Sequence, residues 1–456
     1  LYDIFCISAG QFQSKKKNSV FSNKHRYLNY GLLGIASTLG RSGYNPIVIH
    51  GLFDPPSTIL NICEQYGISG TRNPILLSIP SFFALEWART LSALIKEYYP
   101  NKTIIVGGRW VIGNQDQWIK SYLGVDLVIP GLVGANILDI VTSMNKFSTM
   151  ASATKFRSNN STTIEYRHLH EKDLFQPSIE VSTGCGMGCS FCEEKDIKLS
   201  KLKPATIVAE EMLAINKSSA FVEATPYLES SMFIATREWA EQLYAERQKR
   251  GISCNWRVET RVDKLNARNI PTLAKAGLKV VDLGLESASL KQLERMNKTN
   301  NPKSYLTTAS ELIQTAYDNG IWVKVNVLLY AGETSALIDE TVDWLSSIRK
   351  AIKGVSAGPV IVYGLPSDRE VFIKELEGLG ATAIDTDVIG VTNISPSSTI
   401  DYEASIEISK NICREFMDSR DYYDLKSFSY FSRDYTYQEF QRDIEGLVQK
   451  DVSFKL

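Results

Sequence analysis

Gly184-Cys185-Gly186-Met187-Gly188-Cys189-Ser190-Phe191-Cys192 places three thiols at spacings of four and three within one short glycine-rich loop. The loop directly follows residues 178–182, a run with the character of a strand. Three interspersed glycines let a backbone fold closely around a compact object, and iron–sulfur cubes take thiolates as their ligands. Three thiolates leave one iron of a cube open, and an open iron binds a substrate or cofactor where a fully ligated cluster only passes electrons. Zinc is the competing reading. It usually takes four ligands, and neither His168 nor His170 stands at a finger-like spacing from the cysteines, so the spacing favours a cluster on Cys185, Cys189 and Cys192.

Downstream of the loop, strand-like runs recur at 220–224, 253–259, 280–285, 321–330 and 360–364, separated by helical segments. With 178–182 they make six strands, the rhythm of a partial (β/α)6 barrel of TIM type. Upstream, runs at 4–8, 46–50, 75–79, 103–106 and 126–129 each precede a helical stretch, as in a Rossmann-like, doubly wound parallel sheet. One such helix carries Leu91, Leu94, Ile95 and Tyr98 on a single face and ends at Pro100. The expected α/β organisation is therefore a Rossmann-like domain over 1–150, a Ser/Thr/Asn-rich linker over 151–176, the partial barrel over 177–398, and a small helical, aromatic cap over 399–456. The substrate cavity is expected between the two domains, with the aromatic C-terminal piece closing it.

The chain has 456 residues, with 50 Lys+Arg against 51 Asp+Glu, a formal charge of -1. Such a balance offers no footprint for a nucleic acid or an anionic membrane. Lys15-Lys16-Lys17 reads as a solvated surface run. Seven cysteines, three of them within eight residues, make no disulfide framework and point to a reducing compartment and a metal. The longest apolar stretch, near 75–85, is broken by Ser78, Pro80 and Ser81, so no membrane span is expected. The chain opens on Leu1 without the layout of a signal peptide, which leads us to expect a cytoplasmic protein, with a further N-terminal piece allowed for.

The CxxxCxxC pattern with Phe191 before the last cysteine resembles the signature of the radical S-adenosylmethionine (SAM) superfamily, and the resemblance runs over about 177–398. It implies a [4Fe-4S] cluster whose open iron chelates SAM, reductive cleavage to a 5′-deoxyadenosyl radical, and an electron donor such as flavodoxin or ferredoxin. Other stretches follow in the family's order. Phe221-Val222-Glu223-Ala224-Thr225 stands where the family has a glycine–glutamate motif for the methionine amine, with the glycines absent. Trp256-Arg257-Val258-Glu259-Thr260-Arg261 implies ribose or carboxylate contacts through Glu259 and Arg261. Gly284-Leu285-Glu286-Ser287 followed by Met296-Asn297-Lys298 resembles the GxES…MxK stretch, and Tyr330-Ala331-Gly332-Glu333-Thr334 a later PGET-like turn. Taken singly, each charged residue reads equally well as an ion pair at a barrel rim; at successive carboxyl ends of strands they mark the active face.

The first domain resembles the cobalamin-binding domain of one branch of the superfamily, through Tyr30 to Ala36 with Gly43-Tyr44, Ser78 to Ser81, Gly107-Gly108 after Ile105-Val106, and Asp126 to Gly131. Glycine turns at strand ends leave room for a flat cofactor. A DxHxxG sequence is absent, and the usual GGxH ends as Gly108-Arg109-Trp110. Bound cobalamin would imply methylation of an unactivated carbon of a natural product or peptide, one SAM methylating the corrinoid and another making the radical. A plain Rossmann-like domain would point instead to a cobalamin-independent maturase of a ribosomally made peptide, acting by epimerisation, cyclisation or carbon–carbon cleavage. Epimerisation needs a hydrogen donor, for which Cys254 and Cys413 are the candidates, against the ordinary reading of both as core cysteines. A tRNA methylthiotransferase would need an N-terminal cysteine trio, whereas Cys6 and Cys63 stand alone. An iron–sulfur carrier would leave the carboxylates and arginines at the strand ends unexplained.

Overall fold

The computed structural model describes residues 2–15, 20–109, 111–113, 115–133, 136–146 and 163–456. Lys16, Lys17, Trp110 and residues 151–162 of the expected linker lie outside them. The chain divides into two compact units, 1–175 with 387–390, and 176–386 with 391–456. Among the described residues no helix is long and apolar enough to cross a membrane.

The first unit is a five-stranded parallel sheet built of β1 (Ile4–Ser8), β2 (Pro46–His50), β3 (Ile75–Ser78), β4 (Ile104–Gly107) and β5 (Leu127–Ile129), in the order β2-β1-β3-β4-β5. Helices α1 (Tyr30–Arg41), α2 (Pro56–Gln65), α3 (Leu85–Tyr98), α4 (Asp116–Leu123) and α5 (Ile137–Lys146) alternate with the strands. β1 and β2 are buried along their whole length, as strands covered on both faces must be. On α3 the apolar stripe is real, with Leu91 and Ile95 fully buried, but Tyr98 at its end is 61% exposed. The strand order switches direction between β1 and β3, and in open α/β sheets that crevice is where ligands bind.

The second unit carries six parallel strands in the order β11-β10-β9-β8-β7-β6, an open barrel of the expected kind. They are β6 (Ser178–Glu180), β7 (Tyr227–Glu229), β8 (Trp256–Arg261), β9 (Leu278–Glu286), β10 (Trp322–Leu329) and β11 (Gly354–Pro359). Helices α6 (Ala205–Asn216), α7 (Arg237–Arg250), α8 (Ile270–Lys275), α9 (Leu290–Arg295), α10 (Pro302–Asp318) and α11 (Ser335–Ser347) form the crossovers. On β10 the period-two pattern is plain: Val323, Val325, Val327 and Leu329 are buried, while Trp322, Lys324, Asn326 and Leu328 face the less crowded lumen.

Two strands depart from expectation. Residues 219–221 are a 3-10 turn, Glu223 has φ +58, and the strand begins only at Tyr227. The sixth barrel strand is Gly354–Pro359, whose glycines and proline suit it to the edge of the sheet and hid it from a propensity reading. The run at 360–364 instead supplies β12 (Ile361–Tyr363), which joins β13 (Thr382–Asp385) and β14 (Val391–Ser395) in a separate antiparallel sheet, with α12 (Pro366–Gly378) between.

The C-terminal piece contains α13 (Tyr402–Phe416), packed on β11, then α14 (Ser419–Ser427) and α15 (Tyr437–Ile444). Its aromatic segment lies at the amino ends of the barrel strands, on the side of this unit opposite to the cysteine loop. Gln176 Nε2 donates to Ser427 O at 2.8 Å, Phe428 meets Trp322 ring to ring at 5.0 Å, and Arg433 donates to the Ala220 and Val222 carbonyls. Lys353, just ahead of β11, pairs with Asp421 at 2.8 Å and Asp424 at 3.1 Å. The segment coheres around Phe440, 0% exposed, which packs on Tyr422, Tyr423, Phe431 and Phe454, with α15 started by a Thr436/Glu439 capping box. Phe440→Ala is expected to destabilise the protein by about 3–5 kcal/mol, to be read by chemical denaturation of the full chain.

Candidate active site

The cysteine loop folds because its glycines alternate into the left-handed region. Gly184, Gly186 and Gly188 have φ +79, +65 and +74, and a Cβ on Gly184 would stand 2.5 Å from the Lys198 carbonyl oxygen. The turn is then tied back on itself: Cys185 N donates to Ile197 O at 2.9 Å, Gly186 N to Glu194 O at 3.1 Å and Gly188 N to Lys195 O at 3.2 Å. A second loop, the Met296-Asn297-Lys298 stretch after α9, braces it from the side. Ser190 N donates to Met296 O at 2.9 Å and Asn297 Nδ2 to Gly188 O at 2.8 Å, with Asn297 held at φ +48.

The three thiols share this loop. Cys185 and Cys189 are buried, 7% and 4% exposed, and Cys192 is half-buried. Withdrawal from water pushes the Cys192 thiol up to about 11 and the Cys185 thiol upward too, so each needs a positive partner to ionise. Donors to sulfur are in place: Arg261 Nη1 lies 3.2 Å from Cys189 Sγ and the Glu194 backbone N–H 3.4 Å from Cys192 Sγ. Among the described residues no group of three His, Cys, Asp or Glu stands ready to hold a single metal ion. A cube asks for something different, three thiolates on three separate irons together with N–H donors to the sulfurs; the loop carries three thiols and the Glu194 N–H, and β8 carries the Arg261 donor.

Inside the barrel the register lines up a charged row. Glu180 pairs with Glu229, Glu259 with Asp282, and Asp282 with Lys324 across neighbouring strands. Asp282 is bound by Lys324 at 3.3 Å and Arg257 at 3.7 Å. Glu229 accepts from Ser178 Oγ at 2.7 Å, and Glu259, exposed to the lumen, accepts from Tyr227 at 3.2 Å. Removal from bulk water raises both carboxyls, Glu229 to about 7. Nearer the cysteine loop, Glu286 has φ +69, a strained conformation for a non-glycine residue, and its carboxylate meets Lys298 Nζ at 3.0 Å. Lys298 also stands over the Phe191 ring at 5.6 Å, and Phe191 meets Tyr330 edge-on at 6.3 Å.

Phe191, Glu259, Arg261 and Glu286 thus all face the loop or the lumen. The other candidates do not. Glu223 is an exposed turn residue at the amino side of β7, and the carboxylate at the carboxyl end of that strand is Glu229, which the sequence reading missed because it misplaced the strand. Ser287 is 3% exposed and turned toward α11, its Oγ 3.1 Å from Thr341 Oγ1 and accepting from Ser289 N. Cys254 precedes β8 and its sulfur lies 3.9 Å from Arg247 of α7. Cys413 sits on α13 and accepts from Ala357 N at 3.2 Å, on the outer face of β11. Cys254 thus lies ahead of the amino end of β8 and Cys413 on the α13 side of β11.

In the first unit, Asn29, the N-cap of α1, clasps the switch point: its Nδ2 donates to Ser8 and Ser78 Oγ at 3.0 Å and its backbone N–H to His50 Nε2 at 2.9 Å. Burial drives His50 down to about 3, so the ring is neutral and its Nε2 is spent on Asn29. A Cβ on Gly107, at the end of β4, would stand in ordinary contact with the Ile129 carbonyl oxygen at 3.8 Å and one on Gly131 in open space, whereas on Gly108 it would run into the Ile79 carbonyl.

Glu333, in the turn after β10, is 2% exposed and accepts from Gln292 Nε2 at 2.6 Å; burial pushes it up to about 7. A carboxyl raised in the folded state contributes stability that is whole below the ordinary value of 4.5 and is lost as pH rises through about 7. Glu333→Gln is therefore expected to flatten the fall in unfolding free energy across that window, measured by denaturant titration on either side of it.

Residues 179–345 match the family model described as the Radical SAM superfamily. Among solved structures the chain is similar to the radical S-adenosylmethionine methyltransferase TsrM from Kitasatospora setae with tryptophan substrate and a SAM analog bound, at 16% identity and TM-score 0.62 over 85% of this chain and 79% of that one. TsrM with cobalamin and a [4Fe-4S] cluster bound gives 15% identity and TM-score 0.62 over 85% and 82%. The cobalamin-dependent radical enzyme OxsB with aqua-cobalamin bound gives 15% identity and TM-score 0.56 over 83% of this chain and 56% of that one, so the chain spans little more than half of OxsB. No curated protein matches by sequence. At these identities the likeness is one of fold, and the family comes from the matched segment, which contains the cysteine loop, β7 to β10 and the bracing loop. Residues 179–345 thus carry a Radical SAM superfamily domain, a family that implies a [4Fe-4S] cluster and SAM, and the chain that carries it is an enzyme.

Proposed function

We propose that the protein is a cobalamin-dependent radical SAM enzyme that methylates a carbon of a small natural product or peptide. One observation carries the reading: the likeness to TsrM and OxsB extends over 85% and 83% of the chain, more than the radical SAM unit alone provides, and both were solved with cobalamin. The sheet order β2-β1-β3-β4-β5 and the glycines at the strand ends, with open space beside Gly131, suit a flat cofactor at the carboxyl edge.

When bound, the cluster with SAM supplies the 5′-deoxyadenosyl radical, and cobalamin the methyl group. The chain's own residues bind and orient. Cys185, Cys189 and Cys192 would hold the cluster. Glu229, at the carboxyl end of β7, takes the amine-binding role that motif order suggested for Glu223. Glu286, fixed by Lys298, and Phe191 wall the space beside the loop. The lumen, with Glu259 and Lys324 turned inward, receives the substrate, and a small protein such as a flavodoxin or ferredoxin supplies the electron. The reducing compartment that free thiols require agrees with a cytoplasmic site of action.

One observation favours the cobalamin-independent maturase instead: the one histidine at the carboxyl end of β2, His50, already spends its Nε2 on Asn29. Anaerobic reconstitution with iron and sulfide, followed by titration with hydroxocobalamin and gel filtration, separates the two. A retained, stoichiometric corrinoid band is expected. Its absence, with SAM still cleaved to 5′-deoxyadenosine, would move the assignment to the maturase. Cys189→Ala is expected to abolish both the cluster absorbance and SAM cleavage.

A further inference from the structure

The guanidinium of Arg261 has its bidentate edge, and all but one of its N–H groups, already engaged within the protein. Arg261 ends β8 and is 6% exposed. A guanidinium presents five N–H groups in a rigid fork. Here Nε donates to Asp263 Oδ1 at 2.9 Å and Nη2 to Asp263 Oδ2 at 3.2 Å, which uses the bidentate edge. Nη2 also donates to the Lys298 carbonyl, and Nη1 to Cys189 Sγ at 3.2 Å. Four donations leave one N–H. The residue therefore joins three parts of the site: the end of β8, the bracing loop through Lys298, and the cysteine loop through one sulfur.

We propose that Arg261 is a positioning residue for the cluster rather than a ligand of SAM: it fixes Cys189 and sets the potential at which the cluster accepts its electron. The inference rests on the reading of Cys189 as a cluster ligand. A positive N–H donor on a ligand sulfur withdraws charge from that sulfur, and so favours the reduced, more negative cluster. The orientation is held by Asp263, which fixes the fork through its Nε and Nη2 edge. The step concerned is a one-electron reduction by an external reductant, and no bond or proton changes hands at Arg261.

The test compares wild type, Arg261→Lys and Arg261→Gln after anaerobic reconstitution, with iron and sulfide contents matched. The midpoint potential is read by electron paramagnetic resonance during dithionite titration without SAM, and SAM affinity is measured separately. Expected are a midpoint moved to more negative potential in Arg261→Gln and a smaller move in Arg261→Lys, which keeps the charge but not the fork. Wild type labelled with 15N-arginine should also show a 15N coupling to the reduced cluster by pulsed resonance, absent from Arg261→Lys. If Arg261→Gln takes up no iron, the lysine variant and the labelled wild type decide. An unmoved midpoint, a missing 15N coupling, or lost SAM affinity at unchanged potential overturns the proposal. Wild type that assembles no cluster overturns the functional reading and this inference together, whereas a cluster that forms and cleaves SAM with no effect of Arg261 overturns the inference alone.

Discussion

The hydrogen bonds between the cysteine loop and the Met296-Asn297-Lys298 loop are the constraint on which the rest of the site depends. Ser190 N reaches Met296 O, Asn297 Nδ2 reaches Gly188 O, and Arg261 ties Lys298 O to Cys189 Sγ. The loop closes on itself through its own backbone bonds, and the bracing loop fixes the side that carries Gly188, Cys189 and Ser190. The bracing loop in turn is placed by α9, and α9 by the buried Gln292–Glu333 hydrogen bond to the turn after β10. Strand ends far apart in sequence thereby converge on one short stretch of chain.

Electrostatics follow from the same geometry. Burying thiols costs ionisation, and the structure offsets this with a guanidinium and a backbone N–H aimed at sulfur. Deeper in the lumen, withdrawal from bulk water raises Glu229 and Glu259, and the neighbouring carboxylates of adjacent strands add to it. Groups held away from their ordinary state inside a barrel are more typical of sites that act than of sites that merely hold the fold. The aromatic C-terminal segment contributes at the other end, where it caps the amino ends of the strands and leaves the carboxyl ends to the cysteine loop.

Much of this was legible before any coordinates. The three-cysteine spacing, the order of the later motifs, and two βα series followed by an aromatic tail give the α/β architecture and the resemblance that the match over residues 179–345 bears out. Strand phase was less legible. Glu223 was placed on a strand by local composition, yet residues 219–221 turn and the strand starts at Tyr227, because pairing with β6 and β8 selects that register. Gly354–Pro359 is a strand only because β10 offers it an edge; its own composition argues otherwise.

The sequence by itself determined which atoms are available: three thiols on a glycine loop, and a succession of carboxylates and arginines near strand ends. Only the tertiary structure decided where they point. Ser287 turns to Thr341, Cys413 lies on the α13 side of β11 and Cys254 ahead of β8, Glu229 replaces Glu223, and Arg261 reaches a cysteine sulfur. The physical reason is the two-residue period of a strand. A shift of one residue sends every side chain to the opposite face, and which register holds is settled by hydrogen bonds to strands distant in the chain, which no local pattern contains.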